Sequence, residues 1–326
     1  MRNIIILVIA VVSIALVALA VQMRSEDRVA DLETRPLFSD TQREIIDDLE
    51  RIELRRGGQQ VELEYRDQQW GVVNHYHYPA QRERIAALLH AVRGVRIVED
   101  KTGNPEHHAR LGLDPQAEGS EALEVILRDD EGDLSLIYGN TVGGGQLVRM
   151  RDQDQVWLVN RPFSMSVNPQ DWLALSVIGL PMARLATARW EHADGEVVEL
   201  DKAQEGDYNF RLVGVPAEVQ AGNERSINSM VLALAQLRAQ DVTLRSELAL
   251  GEPMLRMQLS TFAGAELQAS LHEIEGKYWL LIDQFDNPGE EPLAVNADAR
   301  WAYQLNIGQV ENLNKRREDL IRQAAE

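Results

Sequence analysis

The first apolar run sets the frame for the rest of the chain. Ile4 to Val21 reads IIILVIAVVSIALVALAV, eighteen residues in which Ser13 is the only polar side chain. A helix of that length spans about 27 Å, close to a hydrocarbon core roughly 30 Å thick, so residues 4–21 are predicted to lie in a lipid bilayer within an anchor over 1–23. Gln22 to Asp40 are mostly polar, carry both charge signs and include Pro36, as expected of a linker, assigned to 24–48, with Leu37 and Phe38 as its first docking point.

The period then drops to two. Ile52 and Leu54, then Val61, Leu63 and Tyr65 after Gly57-Gly58, then Trp70, Val72 and Val73 predict a three-stranded antiparallel meander with one face in a core. Pro79 is expected to open a helix in which Ile85, Leu88, Leu89, Val92 and Val95 form one apolar stripe. Lys101 to Ser120 is irregular. Alternation resumes at Leu123, Val125 and Leu127, turns at Glu131-Gly132, and continues through Leu134, Leu136, Val148 and Val156-Trp157-Leu158-Val159.

A shift of 142 residues lays this helical stripe onto Ile227, Met230, Val231, Leu234 and Leu237. Val197, Val198, Leu200, Tyr208, Phe210 and Leu212 mirror the first meander; Leu255, Met257 and Leu259 repeat Leu123, Val125 and Leu127. Gly264 answers Gly132, and Tyr278-Trp279-Leu280-Leu281 answers the Val156 run. The predicted fold is therefore α+β, a tandem duplication of a unit with one helix packed on a curled antiparallel sheet. The first repeat covers 49–161, a connecting helix 162–185, the second repeat 186–285, and a tail with a helix 286–326.

Composition narrows the partners. The formal net charge of -19 opposes a phosphate backbone, so nucleic acid is excluded as an expected partner. No cysteine is present, which removes disulfides, thiolate metal sites, cysteine nucleophiles and lipoprotein attachment. Arg2 before the apolar run and Arg24, Arg28 and Arg35 after it do not fix the orientation. A short leading tail followed by an apolar run has the form of an uncleaved signal anchor. Ala18 and Ala20 also make an A-x-A site for a cleavable signal peptide. Either form exports the bulk of the chain.

Candidate chemistry is sparse. His75 and His77, two apart in an extended stretch, could point to one side and form a zinc site with His107 and His108, the basis for a metal-dependent hydrolase; a polar strand end and a surface loop explain them without a metal. Gly143-Gly144-Gly145 has strand-like flanks and no following GK[ST], so it is a hairpin loop rather than a phosphate cradle. Asp129-Asp130-Glu131, Asp152 and Asp154 fit solvated turns better than paired glycosidase carboxylates or a calcium site. Ser164 and Ser166 lack a G-x-S-x-G context. Trp70, Trp157, Trp190 and Trp279 fall in strand-like parts, where core is the ordinary role and a ligand platform the alternative. No catalytic, cofactor-binding or metal-ligating residue is assigned.

Trp70-Gly71-Val72-Val73, Tyr78-Pro79-Ala80 and KTGNPEHHARLGL from Lys101 to Leu113 carry a resemblance. The chain resembles an uncharacterised domain-of-unknown-function family of bacterial single-pass envelope proteins found beside gliding-motility-type ABC transporters. The long glycine loop at Thr141 to Gly145 and the weakly polarised anchor depart from that pattern. The resemblance implies a non-enzymatic accessory or scaffold protein, anchored in the bacterial inner membrane through residues 4–21, with its bulk in the periplasm and a transporter-like membrane protein as partner. The alternatives are an extracytoplasmic glycan or ligand-binding module with exposed Tyr or Trp rings, and the hydrolase built on His75 and His77.

Overall fold

The computed structural model of the protein describes residues 34–130 and 132–321. The predicted anchor over residues 4–21 lies outside them. Among the described residues no helix is long and apolar enough to cross a membrane. The fold is α+β, and its named strand pairs are antiparallel.

In chain order the first half runs Arg35–Pro36 (β1), Asp40–Asp47 (α1), Arg51–Arg56 (β2), Gln59–Arg66 (β3), Gln69–Val72 (β4), Tyr78–Pro79 (β5), Arg82–Arg93 (α2) and Arg96–Asp100 (β6). Leu123–Arg128 (β7), Asp133–Val142 (β8), Gly145–Met150 (β9) and Trp157–Val159 (β10) follow. The second half holds Ile178–Gly179 (β11), Leu185–His192 (β12), Val197–Asp201 (β13), Arg211–Leu212 (β14), Ala217–Gln220 (α3) and Glu224–Ala235 (α4). It ends with Asp241–Leu244 (β15), Leu255–Thr261 (β16), Glu266–Ile274 (β17), Lys277–Asp286 (β18), Ala294–Val295 (β19), Trp301–Leu305 (β20) and Ile307–Leu313 (α5).

Two compact units divide the chain: residues through Gln60 with Ala86–Val167, and Val61–Ile85 with Asn168–Glu326. The first unit carries the strand order β1-β6-β10-β9-β8-β7-β2. β7 shows why it is central: Leu123, Val125 and Leu127 are buried on one face, Glu124 and Ile126 on the other. Strict alternation predicts one core face, but a central strand covered twice reads as a continuous apolar run. The second cover is the irregular stretch after Lys101, where Leu113 and Ala122 pack with Ile137, Leu147 and Val156. Ser39 caps α1 through a reciprocal box with Gln42, and Arg93 of α2 reaches the Ile46 carbonyl and, at 2.8 Å, Asp47.

The second unit carries an eight-stranded sheet in the order β14-β13-β12-β16-β17-β18-β20-β15, the small β11–β19 pair, and the β3-β4-β5 meander. Here β18 is covered twice, with Trp279 and Leu281 packing with Ala302 on one face while Leu280 and Ile282 are buried on the other. The α4 stripe Ile227, Met230, Val231 and Leu234 is fully buried, as its spacing predicts.

Four elements differ from the expectation. The described part of the predicted linker 24–48 is folded: β1 pairs with β6, and α1 buries Ile46. Pro79 does not open a helix: it pairs with Gly71, the Ala80 amide donates to the Trp70 carbonyl at 2.8 Å, and α2 begins only at Arg82. The residue before a proline is held in extended backbone, which favours strand over helix at Tyr78-Pro79. Residues 162–185 form short 3-10 turns at Pro169–Trp172 and Met182–Arg184 rather than a connecting helix. The stretch after 286 is part of the sheet, because Trp301, Tyr303 and Leu305 alternate and β20 inserts between β18 and β15.

Candidate functional site

Two of the three resemblance stretches, Trp70–Val73 and Tyr78–Ala80, meet at one strained turn, while Lys101 to Leu113 lies in the first unit. β3 and β4 pair in register, Glu64 with Gly71 and Tyr65 with Trp70, around a tight turn at Asp67-Gln68. The chain then reverses through a 3-10 turn at Val73–His75 so that β5 can return alongside β4. The reversal puts two successive non-glycine residues, Tyr76 (φ 54°) and His77 (φ 58°), in the left-handed region. Each such residue costs about 1–2 kcal/mol, so the surroundings must hold them there. The His77 amide donates to the Val72 carbonyl at 3.0 Å, and position 71 admits no side chain beside the His77 backbone.

This backbone sorts the side chains His75-Tyr76-His77-Tyr78 in four directions. His75 Nε2 lies 3.3 Å from Asp241 Oδ1, whose second oxygen accepts from Gln170 at 2.9 Å. Burial alone would raise the Asp241 pKa, but the hydrogen bonds from His75, the Val242 amide and Gln170 outweigh it and hold the carboxyl below its ordinary value. Tyr76 points outward and is 51% exposed. His77 Nε2 sits 3.1 Å from Glu64 Oε2. Tyr78 is fully buried, its hydroxyl donating to the Ala174 carbonyl at 3.1 Å and accepting from Asn296 Nδ2 at 3.3 Å. Its ring meets Trp301 edge-on at 5.0 Å. Burial raises the pKa of both Tyr78 and neighbouring Tyr303, so both stay neutral phenols.

Beside the turn lies a cleft of about 290 Å³ within the second unit. The Trp70, Tyr76 and Trp301 rings line it. Its polar side chains come as pairs: Glu64 with His77, and Asp298 with Arg300 at 2.6 Å, where the guanidinium holds the Asp298 carboxyl below the usual carboxylate range. Arg300 also stands over the Trp301 ring, 5.4 Å from its centroid. Residues 70–253 match the family described as Domain of unknown function (DUF4340). The chain belongs to this family. The match opens at Trp70, a wall of the cleft, and takes in the whole Tyr76-His77-Tyr78 turn. DUF4340 carries no assigned function, in keeping with the uncharacterised family the resemblance indicated. No curated protein and no solved structure matches the chain.

The remaining candidates go to separate local roles. His107 Nδ1 lies 3.3 Å from Thr102 Oγ1, and buried His108 meets the Asp154 carbonyl at 3.0 Å through Nε2. No group of three or more potential metal ligands exists among the described residues. Gly143 and Gly144, with φ of 57° and 84°, make the two-residue turn between β8 and β9 that favours glycine. Asp129 accepts from the Gly132 amide at 2.7 Å in the β7–β8 turn; Glu131 lies outside the described residues. Trp190 and Trp279 are core, Trp157 is half-buried in β10, and among the four tryptophans singled out only Trp70 lines the cleft. The far wall, Asn296, Asp298 and Arg300, lies more than two hundred residues from the turn and carries no local sequence signal.

Proposed function

We propose that this DUF4340 protein is a non-enzymatic recognition or scaffold component of a bacterial envelope complex. In this reading residues 4–21 hold it in the inner membrane as a single pass, its body projects into the periplasm, and a transporter-like membrane protein of the ABC class is its partner. The observation that carries the recognition role is the cleft beside Tyr76. Two left-handed residues, a glycine without room for a side chain and a buried tyrosine peg combine to hold one aromatic ring out in solvent beside fixed polar pairs. Strain of this kind persists where surroundings over-determine it, and it concentrates at ligand clamps. Tethering raises the effective concentration toward membrane partners, so a modest, polar interface suffices.

The duplication belongs to the same proposal. What supports it is the strand order: β6-β10-β9-β8-β7-β2 in the first unit and β15-β20-β18-β17-β16-β12 in the second follow one path. In the chain, β3, β4, β5 and α2 come between β2 and β6, and β13, β14, α3 and α4 come between β12 and β15, so a helix directly precedes the first-named strand in both. The correspondence reassigns one pair: Tyr278-Trp279 in β18 answers β9, and the Val156 run answers β20.

A photoreactive phenylalanine analogue in place of Tyr76, in the intact protein within its own membrane, tests the reading. A covalent adduct with a membrane protein is expected. Full-length protein recovered from the aqueous fraction, with no adduct, contradicts it.

A further inference from the structure

We infer that the Tyr76 cleft takes an uncharged saccharide unit. The inference rests on the cleft being a recognition site and adds the chemistry of what it recognises.

Charge decides first. Glu64, Asp67 and Asp298 stand against Arg66, Arg300 and His77, so the cleft's charges balance within one unit. They are also paired: His77 with Glu64 at 3.1 Å, Arg300 with Asp298 at 2.6 Å, and Arg66 with Asp67 at 3.7 Å. A phosphate or carboxylate would approach a protein of net charge -19 and find no surplus cation. A cationic ligand would find the Trp301 face already covered by Arg300. A neutral hydroxyl, in contrast, accepts from a guanidinium or imidazole and donates to a carboxylate, so it needs no surplus of either charge.

Shape decides next. Small-molecule pockets run from roughly 300 to 1,000 Å³. At about 290 Å³ the cleft has room for one or two sugar rings. A pyranose presents hydroxyls around its edge and an apolar face of C–H groups. Tyr76 supplies the complementary flat surface, exposed while Tyr78 two residues on is fully buried. The two left-handed residues fix the backbone that carries that ring before any ligand arrives, which lowers the ordering cost of binding.

The test uses the full chain in a detergent without a sugar head group, with saturation-transfer NMR. The neutral probes are maltotriose, cellotriose and tri-N-acetylchitotriose; trigalacturonate is the anionic probe and triglucosamine the cationic one. Saturable binding of a neutral trisaccharide is expected, weakened about ten-fold by Tyr76→Ala and retained by Tyr76→Phe. Failure of all three neutral probes, equal binding by Tyr76→Ala, or tighter binding of a charged trisaccharide overturns the inference. If the neutral probes fail while the photoreactive group at position 76 still captures a membrane protein, the saccharide is wrong and the recognition role stands; failure of both removes both.

Discussion

Gly71 lies so close to His77 that a methyl group on it would come within 2.9 Å of the His77 carbonyl oxygen. The contact follows from β5 returning against β4 after only a short turn, with Gly71 paired to Pro79. Gly71→Ala is therefore expected to destabilise the protein by about 1–3 kcal/mol, the usual cost of forcing an atom into a packed site. Chemical denaturation of the two proteins checks this. Gly251→Ala, where nothing lies within 4 Å of the added methyl, serves as the comparison.

Tyr78 is the peg that holds the strained turn. Tyr78→Phe keeps the ring against Trp301 but leaves the Ala174 carbonyl and the Asn296 amide each short of a partner. A loss of about 1–2 kcal/mol is expected. Tyr65→Phe, at an exposed ring, should leave the denaturation midpoint within about 0.5 kcal/mol of the original.

Asp241 gives the second unit an acid-sensitive contact. Its folded pKa lies below the ordinary value, so the stability it contributes is fully present above about pH 4 and is lost as the pH falls through the lower folded value. Asp241→Asn should flatten the fall in stability below about pH 4. Denaturation midpoints from pH 6 to pH 3 for the two proteins report this directly, and parallel curves would rule it out.

Two arginines differ in what they leave behind. Arg151 donates to Glu124 at 2.5 Å, and that carboxylate side chain is only 7% exposed. Arg256 pairs at 3.4 Å with Glu252, which is almost fully exposed. Arg151→Ala strands a buried charge that Arg55, 3.8 Å away, only partly neutralises, and about 1–2 kcal/mol of stability should go. Arg256→Ala should change stability by less than about 0.5 kcal/mol.

Much of the secondary structure was legible because one-sided burial writes a period into the chain. The α4 stripe, the β3–β4 hairpin and the β7–β8 hairpin all follow their spacing. The helix start at Arg82 was not, since the backbone bond from Ala80 to Trp70 depends on the return of β5. β20 carried an aromatic alternation, but its place between β18 and β15 is a matter of long-range pairing that no local pattern encodes. The candidate site shows the same division. Trp70-Gly71 and Tyr78-Pro79 stand out in the sequence. That His75 and His77 turn to different carboxylates follows from left-handed backbone at Tyr76 and His77, which local pattern would assign to glycine.

The most direct measurement compares photo-crosslinking from position 76 with crosslinking from position 208, a tyrosine of similar exposure (57%) outside the cleft, in intact protein within native membranes. If the cleft beside Tyr76 is where this anchored protein meets its complex, a discrete adduct with a membrane protein forms from position 76 and little or none from position 208. Equal yields from both positions, or none from either, would contradict that role.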